Sequence, residues 1–395
     1  MNIKPASRIK QIKEYYFSTK LKEIASLREA GKDILNLGIG SPDLMPSYST
    51  IDVLVYESKA TGNHKYQSYI GIPQLRKAFA SWYRKFFNVQ LDPNGEILPL
   101  IGSKEGIMHI SMTYLEAGDE VLIPNPGYPA YRSAAALAGA AVREYHLSAD
   151  RHWLPDFEAL EATDLSRVKI MWVNYPHMPT GTKASKALFE KLVAFGRKHQ
   201  ILICNDNPYS FILNEEPLSI LSVEGAKEVA IELNSLSKSH NMAGWRIGMM
   251  AGDRERLSTI LKFKSNMDSG MFRPVQLAAV AALESPRSWY KSINEVYARR
   301  KKKVCQLLDL LGCHYQENQC GMFVWARVPN DYENGYQFSD EILYKNDVFL
   351  TPGGIFGSEG DQYIRISLCS PEEVFVEAIR RLEGTEPAGE KARAN

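Results

Sequence analysis

Short apolar runs alternate with amphipathic helical stretches from about residue 75 to 330. Four of the runs, EVLIPN (120–125), VKIMWVN (168–174), ILICND (201–206) and VAIELNS (229–235), are nearly continuous in apolar character. A strand half-exposed to water alternates apolar and polar residues, whereas a continuous run is buried on both faces. The pattern therefore predicts a parallel sheet covered by helices on each side. Upstream, residues 9–30 are charged with a helical period and end at Gly31, a natural stop. ILNLGI (34–39) predicts a strand, followed by the turn-rich Gly40-Ser41-Pro42-Asp43. The small apolar residues 133–142 predict a packed helix.

From about residue 290 the texture changes. A long charged helix (290–311) leads into shorter strands, MFVWARV (322–328) and QYIRISL (362–368), and a final helix over 372–382. The fold class expected is α/β: a large domain with a mostly parallel central sheet between helices, plus a smaller α+β domain. The expected division is an N-terminal segment (1–45) joining the small domain, a large domain (46–290) and a small C-terminal domain (291–395). The polar tail from 385 onward predicts fraying.

Charge and composition narrow the function classes. Lys plus Arg is 47 and Asp plus Glu is 46, which lacks the basic excess of a dedicated nucleic-acid binder. The strongest basic run, 299–303 (RRKKK), predicts the solvated face of a helix. The five cysteines are odd in number and no pair has CxxC spacing, so a reducing compartment suits them better than a disulfide framework. The histidines form no HxxxH or HExxH pattern, and no metal site is expected. The N-terminus lacks the apolar core of a signal peptide, and no apolar run approaches the roughly 20 residues of a membrane helix. A cytoplasmic protein with no nucleic-acid or membrane partner is expected.

Five loops carry candidate chemistry. Gly38-Ile39-Gly40 follows a strand but lacks the third glycine of a dinucleotide fingerprint, and neither a P-loop lysine pattern nor a GxSxG elbow occurs. Residues 235–248 (SLSKSHNMAGWRIG) are more specific. Ser235, Ser237 and Arg246 make a phosphate grip, and Lys238 beside them suits a Schiff base with the aldehyde of a phosphorylated cofactor. The competing reading is a Ser-rich surface turn. Asp206, in Asn205-Asp206-Asn207-Pro208-Tyr209, ends a strand, where a carboxylate faces the ligand crevice of a parallel sheet. There it either holds a ring nitrogen protonated or serves as a turn residue. Residues 174–181 follow another strand. Residues 101–106 enter a helix whose first amides suit a phosphate, although most such turns bind nothing. Arg365 sits inside an apolar strand and needs an anion, either a ligand or an internal carboxylate.

Taken in this order, from about residue 34 to 382, these elements resemble the fold-type I aminotransferases of class I/II, which use pyridoxal 5′-phosphate (PLP). The resemblance implies that Lys238 is the Schiff-base lysine, with Ser235, Ser237, Arg246 and the amides of Ser103 and Lys104 holding phosphate. It implies Asp206 on the pyridine nitrogen, Tyr209 on the phenolic oxygen and Tyr128 stacked on the ring; core filling is the other role open to Tyr128. Tyr66, in KYQSYIGIPQLR, matches a tyrosine that reaches the neighbouring subunit's phosphate, which implies a homodimer. Arg365, helped by the backbone of Gly40, matches the clamp on the substrate α-carboxylate.

The implied activity moves an amino group between an L-amino acid and a 2-oxo acid by a ping-pong mechanism; a carbon–sulfur β-lyase or a related synthase shares the same motifs. One position departs from the family pattern: Met178 stands where Asn-Pro-Thr-Gly has its asparagine, and methionine has no donor. Asn174 and Asn207 are the candidates to replace it. Arg273 is open between a structural ion pair and a substrate role. Met271, Phe272, Tyr15 and Tyr16 are candidates for an apolar pocket.

Overall fold

In a computed structural model, residues 3–11 and 16–384 are described. Tyr15 and the polar tail from 385 lie outside the described residues. The centre is a seven-stranded sheet in the order Ile97–Leu100, Gly248–Gly252, Ala230–Ser235, Leu202–Asp206, Val168–Val173, Glu120–Asn125 and Ala141–His146. Only Gly248–Gly252 runs antiparallel to its neighbours. The other strands point one way, so their C-terminal ends share one edge of the sheet.

The continuous apolar runs are explained by the two faces. Along Val168–Val173, Met171 and Val173 enter one core cluster while Ile170 and Trp172 enter the other. Successive side chains point to opposite faces, so a sheet packed on both needs apolar residues at nearly every position. Helices close both faces. Lys186–His199, for example, starts on the Ser185 hydroxyl, which accepts from Leu188 N at 3.1 Å, and ends on Gln200 in the left-handed region.

The C-terminal part is a four-stranded antiparallel sheet, Thr351–Pro352, Tyr363–Ser367, Phe323–Arg327 and His314–Tyr315. The helices Arg287–Leu310 and Glu372–Leu382 pack against each other beside it. The N-terminal strand is shorter than predicted. Only Leu35–Asn36 pairs, in parallel, with Val348–Phe349; beyond Leu37 the chain leaves the pairing and Gly40 lines the cavity.

Three further expectations change. The helix predicted over 9–30 is Tyr16–Glu29, with a separate 3-10 turn at Ser7–Gln11. The helix predicted over 133–142 is Ala130–Ala138; Gly139 at φ +89° ends it, and Ala141 and Val142 begin the edge strand. The basic run is not wholly a solvated face, since Arg300 is buried. The described residues contain no helix long and apolar enough to cross a membrane.

Candidate active site

A cavity of about 900 Å³ opens at the C-terminal edge of the large sheet, against the small sheet. Strand ends deliver its chemistry. Leu202–Asp206 ends on Asp206, Ala230–Ser235 ends on Ser235, and the turn after Ile97–Leu100 delivers Ser103 and Lys104. Tyr128, Tyr209, Ser237, Lys238, Arg246, Gly40 and Arg365 line the same space.

Lys238 sits in the single-turn helix Leu236–Ser239, started by the Ser235 hydroxyl, which accepts from Ser237 N at 3.1 Å. Its Nζ donates to the Gly40 carbonyl at 2.7 Å. Burial lowers its pKa; Arg365 and Arg246 add to that, while Cys369 and Asp206 oppose it. An amine so placed gives up its proton more readily than a free lysine, which suits proton transfer.

Asp206 is buried. Its Oδ2 accepts from the Tyr131 hydroxyl at 3.1 Å, and its Oδ1 has no partner. Burial pushes its pKa up to about 7, against the Tyr131 hydrogen bond and the charge of Lys238. A buried carboxylate oxygen without a donor, on a residue lining a cavity, is suited to a protonated nitrogen.

Arg246 stands beside the turn into the helix Ser103–Tyr114. A Cβ on Gly102 would lie 2.0 Å from its Nη2, so only glycine allows the guanidinium this close, and Gly102 has φ +81°. Arg246 Nη1 donates to Ala243 O at 2.9 Å and to Ser237 Oγ at 3.4 Å. A cation beside the positive end of a 12-residue helix is unfavourable until an anion joins it, and the first helical amides have no acceptor inside the helix. This corner could hold a phosphate.

Arg365 is buried and faces no carboxylate among the described residues, so an internal ion pair is not its partner. Its Nη2 donates to Gly38 O at 2.9 Å, its Nη1 lies 3.4 Å from Met178 Sδ, and its Nε has no partner. It lies 3.9 Å over the Phe323 ring. Burial brings its pKa down to about 10. Tyr128 stands edge-on to Tyr131, their ring centres 5.7 Å apart. Tyr209 is edge-on to Phe323, and burial raises its hydroxyl pKa.

Several predicted residues fall elsewhere. Tyr66 is 92% exposed and lines no part of this chain's own cavity. Its loop meets the turn before Arg273: a Cβ on Gly270 would lie 2.6 Å from Ser68 O, and His64 packs on Phe272. Arg273 makes no ion pair among the described residues, and neither Met271 nor Phe272 lines the cavity, whereas Tyr16 does. Asn207 is turned away, donating to Leu218 O at 3.0 Å and accepting from Ser210. Asn174 lines the cavity, but its amide is engaged by Met178 N at 2.8 Å and by the Asp206 carbonyl.

Tyr131 was missed by sequence reasoning. It lies three residues after Tyr128 in NPGYPAY, and only the turn of helix Ala130–Ala138 aims it at Asp206. Glu105, His109 and Asp268 bring their ligand atoms within 4.8 Å of one another, a grouping that no motif announced. The Lys264 ammonium already bonds both Asp268 oxygens, at 2.8 and 2.7 Å.

A buried amine, an unpartnered carboxylate oxygen and an anion cradle on one sheet edge fit a cofactor with an aldehyde, a basic ring nitrogen and a phosphate. That is pyridoxal 5′-phosphate, and the architecture is the fold-type I PLP transferase. The chain belongs to the aminotransferase class I and II family, which it matches over residues 32–382. It is 40% identical over 384 residues to an LL-diaminopimelate aminotransferase of Dehalococcoides mccartyi, covering 97% of this chain and 99% of the relative. It is 38% identical over 380 residues to that of Aquifex aeolicus, covering 96% and 98%. Among solved structures, substrate-bound BacF from Bacillus subtilis superposes with a TM-score of 0.93 at 33% identity, covering 99% of this chain and 100% of that one. The protein is a PLP-dependent transaminase.

Proposed function

We propose that this chain transfers the amino group of an L-amino acid to a 2-oxo acid, with Arg365 seating the substrate α-carboxylate and Lys238 moving the Cα proton. The observation that carries the reading is the buried Arg365, whose Nε has no partner, lining the same cavity as Lys238 and Asp206. Bound PLP supplies the carbonyl that captures the amino group and the ring that takes up the electron pair left at Cα. Asp206, through its free Oδ1, holds the ring nitrogen's proton, and Tyr131 keeps that carboxylate oriented. Arg246, Ser235, Ser237 and the amides of Ser103 and Lys104 hold the phosphate. Tyr128 would pack on the ring and Tyr209 would donate to the phenolic oxygen, both from the cavity lining. Lys238 would take the proton from the substrate Cα and hold it for return; its lowered pKa suits that exchange.

The LL-diaminopimelate aminotransferases that resemble this chain make LL-diaminopimelate the first donor to test. We further propose a homodimer in which Tyr66 reaches the neighbour's phosphate. Its 92% exposure, with exposed Tyr48, Tyr56 and Phe272, supports that surface. The division into a large domain (46–290) and a small domain (291–395) joined by the N-terminal segment (1–45) is proposed on the separate sheets and the pairing of Leu35–Asn36 with Val348–Phe349. The free cysteines suit a cytoplasmic location. The test is Lys238→Ala: the variant is expected to bind PLP without turnover, and retained turnover would overturn the assignment.

A further inference from the structure

We propose that Arg300, paired with Asp43, is a positioning residue that holds the segment 38–43 against Lys238 and Arg365; this rests on the roles proposed above for those two residues. Arg300 lies in the middle of the long helix Arg287–Leu310, outside the cavity lining, and is 4% exposed. Its Nη1 and Nη2 donate to the two oxygens of Asp43 at 2.6 and 2.7 Å, a bidentate pair, and Nη1 also donates to Leu368 O at 3.0 Å.

Both partners lead to the reacting groups. Asp43 closes the segment whose Gly38 carbonyl accepts from Arg365 and whose Gly40 carbonyl accepts from Lys238. Leu368 follows the strand Tyr363–Ser367 that carries Arg365. Gly40 itself lies so close to Phe323 that a Cβ would come within 2.4 Å of the ring, and Arg365 stacks on that same ring.

Beyond Gly38, whose N–H donates to Asn36 Oδ1 at 3.0 Å, the segment has few other ties. Between Gly38 and Pro46 the backbone makes no hydrogen bond to other backbone among the described residues. Asn241 holds Met45 O at 3.2 Å, beyond Asp43. Gly38 is held from its own side, since Leu37 bonds Phe349 O and Ser367 N, and Thr351 Oγ1 donates to Gly38 O at 3.3 Å; the Asp43–Arg300 fork is the fixed point at the other end, from which the Gly40 carbonyl is aimed. A planar guanidinium fixes both distance and orientation of a carboxylate, which a single ammonium does not.

The experiment compares PLP-loaded wild type, Asp43→Asn and Arg300→Lys in steady-state kinetics with the best amino donor, alongside their melting temperatures. A shift of the segment by about 1 Å predicts a fall in kcat/KM of about 10- to 100-fold in Asp43→Asn, with a rise in KM. Arg300→Lys is expected to fall between the two, because it keeps the charge and loses the fork. Unchanged KM and kcat in both variants, or a lowered melting temperature with unchanged kinetics, would overturn the positioning role. Lys238→Ala run in parallel separates the two readings: an inactive Lys238→Ala beside a normal Asp43→Asn sinks the positioning role alone. If Asp43→Asn does not fold, Arg300→Lys decides by the same criteria.

Discussion

Replacing Arg365 with methionine separates a substrate seat from a structural ion pair. Methionine keeps the length and the apolar stem but removes the charge. In the free protein the guanidinium is held down to about 10 by burial, which at 1.36 kcal/mol per pKa unit means its charged form has lost about 3 kcal/mol. Against that relief, the variant loses the 2.9 Å bond to Gly38 O, and hydrogen bonds to charged groups are worth about 1.5–3 kcal/mol. Gly38 O keeps a contact from Thr351 Oγ1 at 3.3 Å. The two effects nearly cancel, so Arg365→Met should have stability close to wild type or higher. Activity should respond differently. Removing one partner of a buried charge pair costs about 2–5 kcal/mol, so kcat/KM should fall by about 30- to several thousand-fold. The assays are denaturant unfolding of the cofactor-free protein and steady-state kinetics of the loaded one. A structural pair would show the reverse: a stability loss of about 3–5 kcal/mol with kcat/KM little changed. That result would refute the reasoning.

Other perturbations have signs fixed by the same geometry. Asp206 has its folded-state pKa raised to about 7 by burial, so its contribution to the stability of the cofactor-free protein is present below the ordinary carboxylate pKa and is lost as pH rises through 7. The loss is about 4 kcal/mol, and Asp206→Asn should abolish this pH dependence; an equal stability difference between variant and wild type at pH 5 and pH 7.5 would contradict it. Tyr131→Phe removes the 3.1 Å bond to Asp206 and should weaken PLP binding by about tenfold or more, read by equilibrium dialysis; unchanged affinity would remove Tyr131 from the site. Met178→Asn adds a donor near the cofactor and should lower the pH midpoint of the Schiff-base colour change, and an unmoved midpoint would show that position 178 does not reach the phenolic oxygen. Sedimentation should find a dimer at assay concentration, and active monomers would remove Tyr66 from the neighbour's site.

Much of the site was legible because strand ends are legible. A run such as ILICND changes from apolar to polar where the strand leaves the core, and that change places Asp206 at the crevice. The SLSK turn followed in the same way from VAIELNS. Residues placed by helix rotation were harder. Tyr131 looks like another aromatic core residue until the helix Ala130–Ala138 turns its hydroxyl to Asp206. Arg300 was hidden by its charged neighbours, yet it lies on the helical stripe of Ile293, Tyr297, Val304 and Leu307, all buried, and that periodicity marks it as an inward residue. Met178 was visible as a departure, but its approach to Arg365 depends on two segments far apart in sequence. The edge strand Ala141–His146 was lost because its two leading apolar residues, Ala141 and Val142, continue the small-residue run of the preceding helix, and the charged Arg143 and Glu144 on this half-exposed strand break any apolar run.

The most direct test of the transaminase assignment is the visible spectrum of the PLP-loaded protein as amino acids are added one at a time, LL-diaminopimelate first, with no 2-oxo acid present. The account predicts that a donor converts the yellow form to the shorter-wavelength amine form, that a 2-oxo acid restores it, and that Lys238→Ala shows no such cycle. A yellow form that persists while pyruvate and ammonia accumulate from cysteine-type substrates would contradict it in favour of β-elimination, and a protein that binds no PLP would contradict the cofactor site itself.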